Sequence, residues 1–147
     1  MDPIAGRVLT ILLVHEATMF MSEKNTVLLV DDDYASIDAL ADFVREHGLP
    51  TAQAGNGAEA LDLLRNAPPA LILLDLKMPV MDGFEFLARK AEDPELAAIP
   101  VVVMTGDPEQ APKNLPTLRK PLKARNLLQV LTYYCGLDGK SEMALSR

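Results

Sequence analysis

Two short aliphatic runs in this chain stop abruptly on carboxylates: "TVLLVDDD", residues 26–33, and "LILLDLKMP", residues 71–79. A run of four or five large aliphatic residues reads as a strand buried on both faces, and an ionised group is tolerated on such a strand only at its open end. Asp31, Asp32 and Asp33 therefore sit at the tip of one strand and Asp75 at the tip of another. If the two strands are parallel neighbours, four carboxylates crowd one edge of a sheet, and something positive must balance them.

The rest of the pattern supplies that sheet. "YASIDALADFVREHG" spaces Ile37, Leu40, Ala41 and Val44 at helical intervals and stops at Gly48. "LPTAQA" is a weak second strand, and "NGAEALDLLRNAPP" a second helix closed by Pro68 and Pro69. After the third strand, "LILLD", Asp82 is placed to cap the helix "GFEFLARKAE". "IPVVVMTG" is the fourth strand, ending at Thr105, and "PTLRKP" a short fifth, followed by a last helix over roughly Lys123 to Tyr134. Strands alternating with helices predict an α/β fold, a doubly wound five-stranded parallel sheet whose ligand site lies beyond the carboxyl ends of the strands. Asp31, Asp32, Asp75, Thr105 and Lys120 all fall there.

With 147 residues and 49% hydrophobic composition, the chain suits one domain with an adequate core. Net charge −7 excludes a surface wrapped around a nucleic-acid backbone. The lone Cys135 rules out an internal disulfide and fits a reducing compartment. No apolar run is long enough to span a bilayer, so neither membrane nor nucleic acid is expected as a partner. The seven-residue run Val8–Val14 lacks the cleavage site of a secretory leader, and "MSEKNTVLLVDDD" from Met21 looks like a start of its own. Residues 1–24 are expected to be a non-essential extension, 25–136 the folded domain and 137–147 a tail.

The acids point to a reaction. Two carboxylates at one strand end and a third on a neighbour suit a hard divalent cation such as Mg²⁺, which prefers oxygen ligands. Metal and Lys120 together would keep Asp75 ionised, and an ionised carboxylate can attack phosphorus. Lys120 offers a point charge, and Thr105 a hydroxyl, to phosphoryl oxygens. Taken singly, each residue has an ordinary explanation as a cap, a turn or a solvated face; the joint placement carries the reading. Asp33 stays a cap or turn residue. His15 and His47 do not look like phosphodonors, so the phosphoryl group must come from another molecule.

"VLLVDDD", "LILLDLKMPVMDG", "VVVMTG" and "LRKP", in this order over roughly residues 25–135, resemble the receiver domain of two-component response regulators. The resemblance implies the flavodoxin-like strand order 2-1-3-4-5. It also implies that Asp75 accepts a phosphoryl group from a sensor histidine kinase or histidine phosphotransfer protein. Asp31, Asp32, Asp75 and the backbone carbonyl of Lys77 would hold Mg²⁺, with Thr105 and Lys120 as the switch pair, in a cytoplasmic signalling protein that is no enzyme beyond slow self-phosphorylation and self-dephosphorylation. Lys77 and Asp107, flanking the site from opposite loops, are expected to form an ion pair that lengthens the phosphorylated state.

Rival readings fit less well. "GNGAEA", residues 55–60, matches a dinucleotide-binding fingerprint, but the strand before it is too polar and Asp31 and Asp32 would go unexplained. An aspartyl phosphohydrolase needs a second acid at position 77, where this chain has lysine. A receiver-like interaction module that is never phosphorylated would be expected to have lost a site residue, and none is lost.

Two departures from the receiver pattern bear on output. Thr105 and Lys120 are fifteen residues apart with Pro108, Pro112 and Pro116 between them; this is too little chain, and too proline-rich, for the usual fourth crossover helix. That helix is expected to be a single turn or absent, as in receivers of hybrid histidine kinases. The position three before the lysine, commonly aromatic, is Thr117.

Overall fold

In a computed structural model, residues 25–137 are described; the expectations for the leader and for most of the tail lie outside them. Five parallel strands, β1 (Val27–Val30), β2 (Thr51–Ala54), β3 (Leu71–Asp75), β4 (Val101–Thr105) and β5 (Thr117–Arg119), form one sheet in the order β2-β1-β3-β4-β5. The helices are α1 (Tyr34–Glu46), α2 (Gly57–Asn66), α3 (Gly83–Glu92), the single turn α4 (Pro94–Ala97) and α5 (Ala124–Cys135). Strand order, parallel pairing and helices on both faces are as the sequence led us to expect.

Strand periodicity divides the core. Val27, Leu29, Leu71, Leu73, Val102 and Met104 point to one face and pack with α1 and α5, while Leu28, Val30, Ile72, Leu74, Val101 and Val103 point to the other, toward α2, α3 and α4. β1 is apolar throughout, and β3 and β4 are apolar up to their last residues, Asp75 and Thr105, because helices cover both of their faces.

The helices start where side chains can take up their free N–H groups. Asp33 accepts from Ala35 N and Ser36 N at α1, Asn56 from Glu59 N at α2, and Asp82 from Glu85 N at α3. α1 ends at the expected glycine, Gly48, whose φ of 84° is open to glycine without steric cost. α4 was not foreseen from the sequence; Asp93 caps it with Pro94 at its first position. His47 closes α1, with Nδ1 at 2.8 Å from the carbonyl oxygen of Phe43.

Between β4 and β5 the only helical piece is a 3₁₀ turn, Pro108–Gln110. The rest of the connection runs without helix to Pro116, with Ala111 buried and Leu115 packed against the α2–α3 side of the core. The three prolines have replaced the fourth crossover helix by a short strap.

Candidate functional site

The strand register assembles the site. Val30 pairs with Leu74 and Asp75 with Met104, so Asp31 and Asp75 lie in one row across the sheet. Thr105 pairs with Arg119, which puts Lys120 one residue beyond the same edge. All five residues that the sequence singled out at strand ends thus meet at one edge, the carboxyl one.

Asp31 is buried, only 3% exposed. Its Oδ2 accepts from Lys120 Nζ at 3.1 Å, and its Oδ1 from the backbone N–H of Asp33 at 3.0 Å. The same ammonium lies 3.6 Å from Asp75 Oδ1. Burial pushes the Asp75 carboxyl above its usual range; the nearby Asp31 charge adds to this, against the pull of Lys120 and of the Lys77 N–H. Burial alone would lower Lys120, but its hydrogen bond to Asp31 and the charges of Asp75 and Asp31 win, holding the ammonium above its ordinary value. The positive group that two acid-tipped strands demanded is this lysine.

Carboxylate oxygens of Asp31, Asp32 and Asp75 lie within 4.8 Å of one another. An octahedral Mg²⁺ with oxygens at about 2.1 Å holds adjacent ligands roughly 3 Å apart and opposite ones about 4 Å apart. The three acids therefore need only small side-chain adjustments to share one ion, and an oxygen-only donor set is what a hard cation takes.

The loops are fixed by close packing. A Cβ on Gly83 would come within 2.8 Å of the Asp75 carbonyl oxygen and of Leu76 Cα, and Gly83 N donates to Leu76 O at 2.9 Å. Gly57 N donates to Met81 O at 2.9 Å, and a Cβ there would meet Met81 Cγ at 2.8 Å. The glycine of the apparent dinucleotide fingerprint thus lets α2 press against the loop that follows Asp75. In that loop Val80 is exposed with φ 66°, a left-handed conformation that is unusual for a β-branched residue.

Thr105 is buried, and its hydroxyl is engaged with the next loop: Oγ1 accepts from Asp107 N at 3.1 Å. The expected Lys77–Asp107 ion pair is not formed. Among the described residues the ion pairs are Asp42–Arg45, Glu85–Arg89 and the two made by Lys120. Lys77 is exposed, and solvent offers its ammonium as much as a distant carboxylate does.

The model of the response regulator receiver domain matches residues 27–132, most of the chain. The chain belongs to this family. As a receiver it is 30% identical over 118 residues to the polar-differentiation response regulator DivK of Brucella anthropi, covering 76% of this chain and 96% of that protein. It is 42% identical over 85 residues to sporulation initiation phosphotransferase F of Bacillus subtilis, covering 58% of this chain and 65% of that protein. Among solved structures, the signal receiver domain of a signal transduction histidine kinase from Syntrophus aciditrophicus superposes with TM-score 0.68 at 27% identity, over 76% of this chain and 90% of that one. Receiver domains of two-component systems are signalling phosphoacceptors that work with histidine kinases or phosphotransfer proteins. No helix among the described residues is long and apolar enough to cross a membrane.

Proposed function

We propose that this receiver takes a phosphoryl group onto Asp75 from a phosphohistidine of a sensor kinase or phosphotransfer protein, and then signals by docking to a partner or by passing the group on. The observation that carries this reading is the row of carboxylates, Asp31, Asp32 and Asp75, at one strand edge, with Lys120 shared between two of them.

An Asp75 carboxylate oxygen attacks phosphorus, the new P–O bond forms as the P–N bond to imidazole breaks, and the imidazole leaves with the bond's electron pair. Raised by its surroundings, Asp75 is kept ionised by the Lys120 ammonium beside it. As charge moves onto the phosphoryl oxygens, Lys120 can follow it without giving up Asp31, since it already bridges both acids. Held by Asp31, Asp32, Asp75 and the backbone carbonyl of Lys77, Mg²⁺ would supply further neutralisation of those oxygens. The Thr105 hydroxyl donates to one of them once it turns from the Asp107 main chain. That turn is the natural first step of a conformational response, because it frees the start of the proline-bearing strap. Lys77 and Asp107, two positions beyond Asp75 and Thr105, are the candidates for governing the access of attacking water, each acting from its own loop rather than as an ion pair. The setting that suits this exchange is the cytoplasm.

The test is intact mass after incubation with acetyl phosphate and Mg²⁺, beside Asp75→Ala and an EDTA control. One added phosphoryl group that requires both Mg²⁺ and Asp75 supports the reading. A folded protein that binds Mg²⁺ but gains no mass from acetyl phosphate or from a phosphorylated histidine kinase would instead be a docking module that works unphosphorylated.

A further inference from the structure

Between Glu109 and Asp138 the chain has no acidic residue but five cations, Lys113, Arg119, Lys120, Lys123 and Arg125. All 21 acids of a chain with net charge −7 lie outside that stretch. Lys120 is committed to Asp31 and Asp75. The other four are exposed, and none of them is in an ion pair among the described residues. Where this stretch forms β5, the last strand of the sheet, and then α5, a groove of about 480 Å³ opens, and every residue lining it falls between Thr117 and Tyr134. Arg119, Asn126, Gln129 and Tyr133 bring it a guanidinium, two amides and a phenol, beside the aliphatic Leu118 and Val130. Asn126, Gln129, Val130 and Tyr133 recur at helical spacing, and Arg125 stands one turn before Gln129. Tyr133 is 81% exposed, yet its ring is placed by an edge-on contact with Tyr134, centroids 4.8 Å apart. An acidic protein thus carries one positive, aromatic-edged groove with no carboxylate in its lining.

We infer that this groove receives an acidic segment of another protein, one that carries an apolar side chain among its carboxylates. A carboxylate suits the donors present: the Arg119 guanidinium can hold one by two parallel hydrogen bonds, and the amides and phenol can donate to others. Leu118, Val130 and the Tyr133 ring give an apolar side chain a surface to cover, and tyrosine and arginine are the residues that most often anchor an interface. Charge disfavours the other occupants. A second copy paired face to face would set Arg119, Lys123 and Arg125 against their own images across the two-fold axis. A nucleic acid would have to approach a chain of net charge −7 for a groove with a single lining cation. An acidic segment is instead drawn toward the one face where positive charge is concentrated, which speeds its encounter. Side chains make the contact, so no pairing along β5 is needed. Nor is a phosphoryl group on Asp75 needed, and the inference stands apart from the proposed phosphorylation.

The experiment follows amide NMR spectra of the full chain as a panel of synthetic peptides is added, each about twelve residues of glutamate with one or two leucines at varied positions. Matching peptides with glutamine for glutamate, and a single-stranded RNA, are titrated beside them. The expected result is that acidic members of the panel shift the amides of Leu118, Arg119, Asn126, Gln129 and Val130 and the glutamine peptides do not, with binding weakened several-fold between about 50 and 300 mM salt. Arg119→Glu combined with Arg125→Glu should weaken binding by roughly tenfold or more, and Tyr133→Ser, which keeps both charges, by about threefold. Both variants should still take up a phosphoryl group from acetyl phosphate as the natural chain does, which shows that the fold and the Asp75 site are intact. Groove amides indifferent to every acidic peptide, or equal binding of the glutamine peptides, would overturn the inference. So would RNA moving the same amides more strongly, or shifts that vary with protein concentration alone, since the occupant would then be a phosphate polymer or a second copy.

Discussion

The Lys120 ammonium stands 3.1 Å from Oδ2 of Asp31, a residue 89 positions earlier in the chain. This contact closes the far strand of the site onto β1, and it forms between a buried carboxylate and a lysine whose side chain is 32% exposed. Lys120→Met would leave Asp31 buried without its cation and Asp75 facing it. Discounted for the partial exposure of the lysine, the expected loss is roughly 1–3 kcal/mol of unfolding free energy, partly recovered by adding Mg²⁺. Denaturant titrations with and without the metal check this, and an unchanged midpoint would show the pair to be energetically idle.

Asp75→Asn should act in the opposite direction on stability. Burial and the Asp31 charge raise the Asp75 carboxyl, so the folded chain holds its ionised form less well than the unfolded chain does, and at neutral pH a neutral amide relieves that penalty. Without Mg²⁺ the melting temperature should rise by roughly 2–4 °C, while phosphoryl uptake is lost. Thermal melts together with intact mass would reveal a variant that fails in either respect.

Gly83→Ala and Gly106→Ala form a matched pair. The first would drive a methyl group into the backbone around Asp75, at a cost of roughly 1–3 kcal/mol, and should also slow phosphorylation by moving the loop. The second meets nothing within 4 Å and should leave stability nearly unchanged. Equal effects at the two positions would mean that the loop after Asp75 is looser than its contacts imply.

Val80 holds a left-handed backbone with its side chain in solvent, so Val80→Asn gives up little packing and gains a residue that tolerates this conformation. An increase in stability of about 0.5–1 kcal/mol is expected, measured by urea unfolding. A decrease would show that the isopropyl group has contacts worth more than the strain.

Cys135 contributes to the pH dependence of stability at the alkaline end. Burial pushes the Cys135 thiol from 9.0 up to about 11. Because the folded-state value lies above the unfolded one, the unfolded chain loses this proton first as pH rises. The contribution is whole below pH 9 and disappears toward pH 11. The stability difference between the natural protein and Cys135→Ala should therefore be flat below 9 and shrink above it. A difference that stayed constant through pH 11 would mean that the thiol ionises as readily in the folded state as in the unfolded one.

What the sequence made legible is what a strand end can encode. Asp31, Asp75 and Thr105 follow directly on apolar runs, and parallel register does the rest. Lys120 was legible only by its place after the fifth strand; its preference for Asp31 over Asp75 depends on side-chain reach across the sheet. Gly57 looked like part of a phosphate-binding fingerprint because one glycine serves equally where backbone nears a ligand and where backbone nears backbone. Val80 gave no signal, since valine is a poor marker of a left-handed turn, and the separation of Lys77 from Asp107 reflects loop paths that no local pattern specifies. The prolines after Thr105, in contrast, foretold the strap, because they act on the backbone itself.

The short outer strands have a consequence for association. β2 is four residues long with Gln53 exposed, and β5 is three residues long, ends on the exposed Arg119 and is followed at once by Lys120 and Pro121. Neither margin offers a long, flat, apolar ladder of free N–H and C=O groups, and a proline two residues beyond the end of β5 hinders its extension by further pairing. The sheet is thus poorly suited to recruiting another chain's strand, whether from a partner or from a partly unfolded copy. Among the described residues, the loops and helix faces are better suited to recognition than either margin of the sheet.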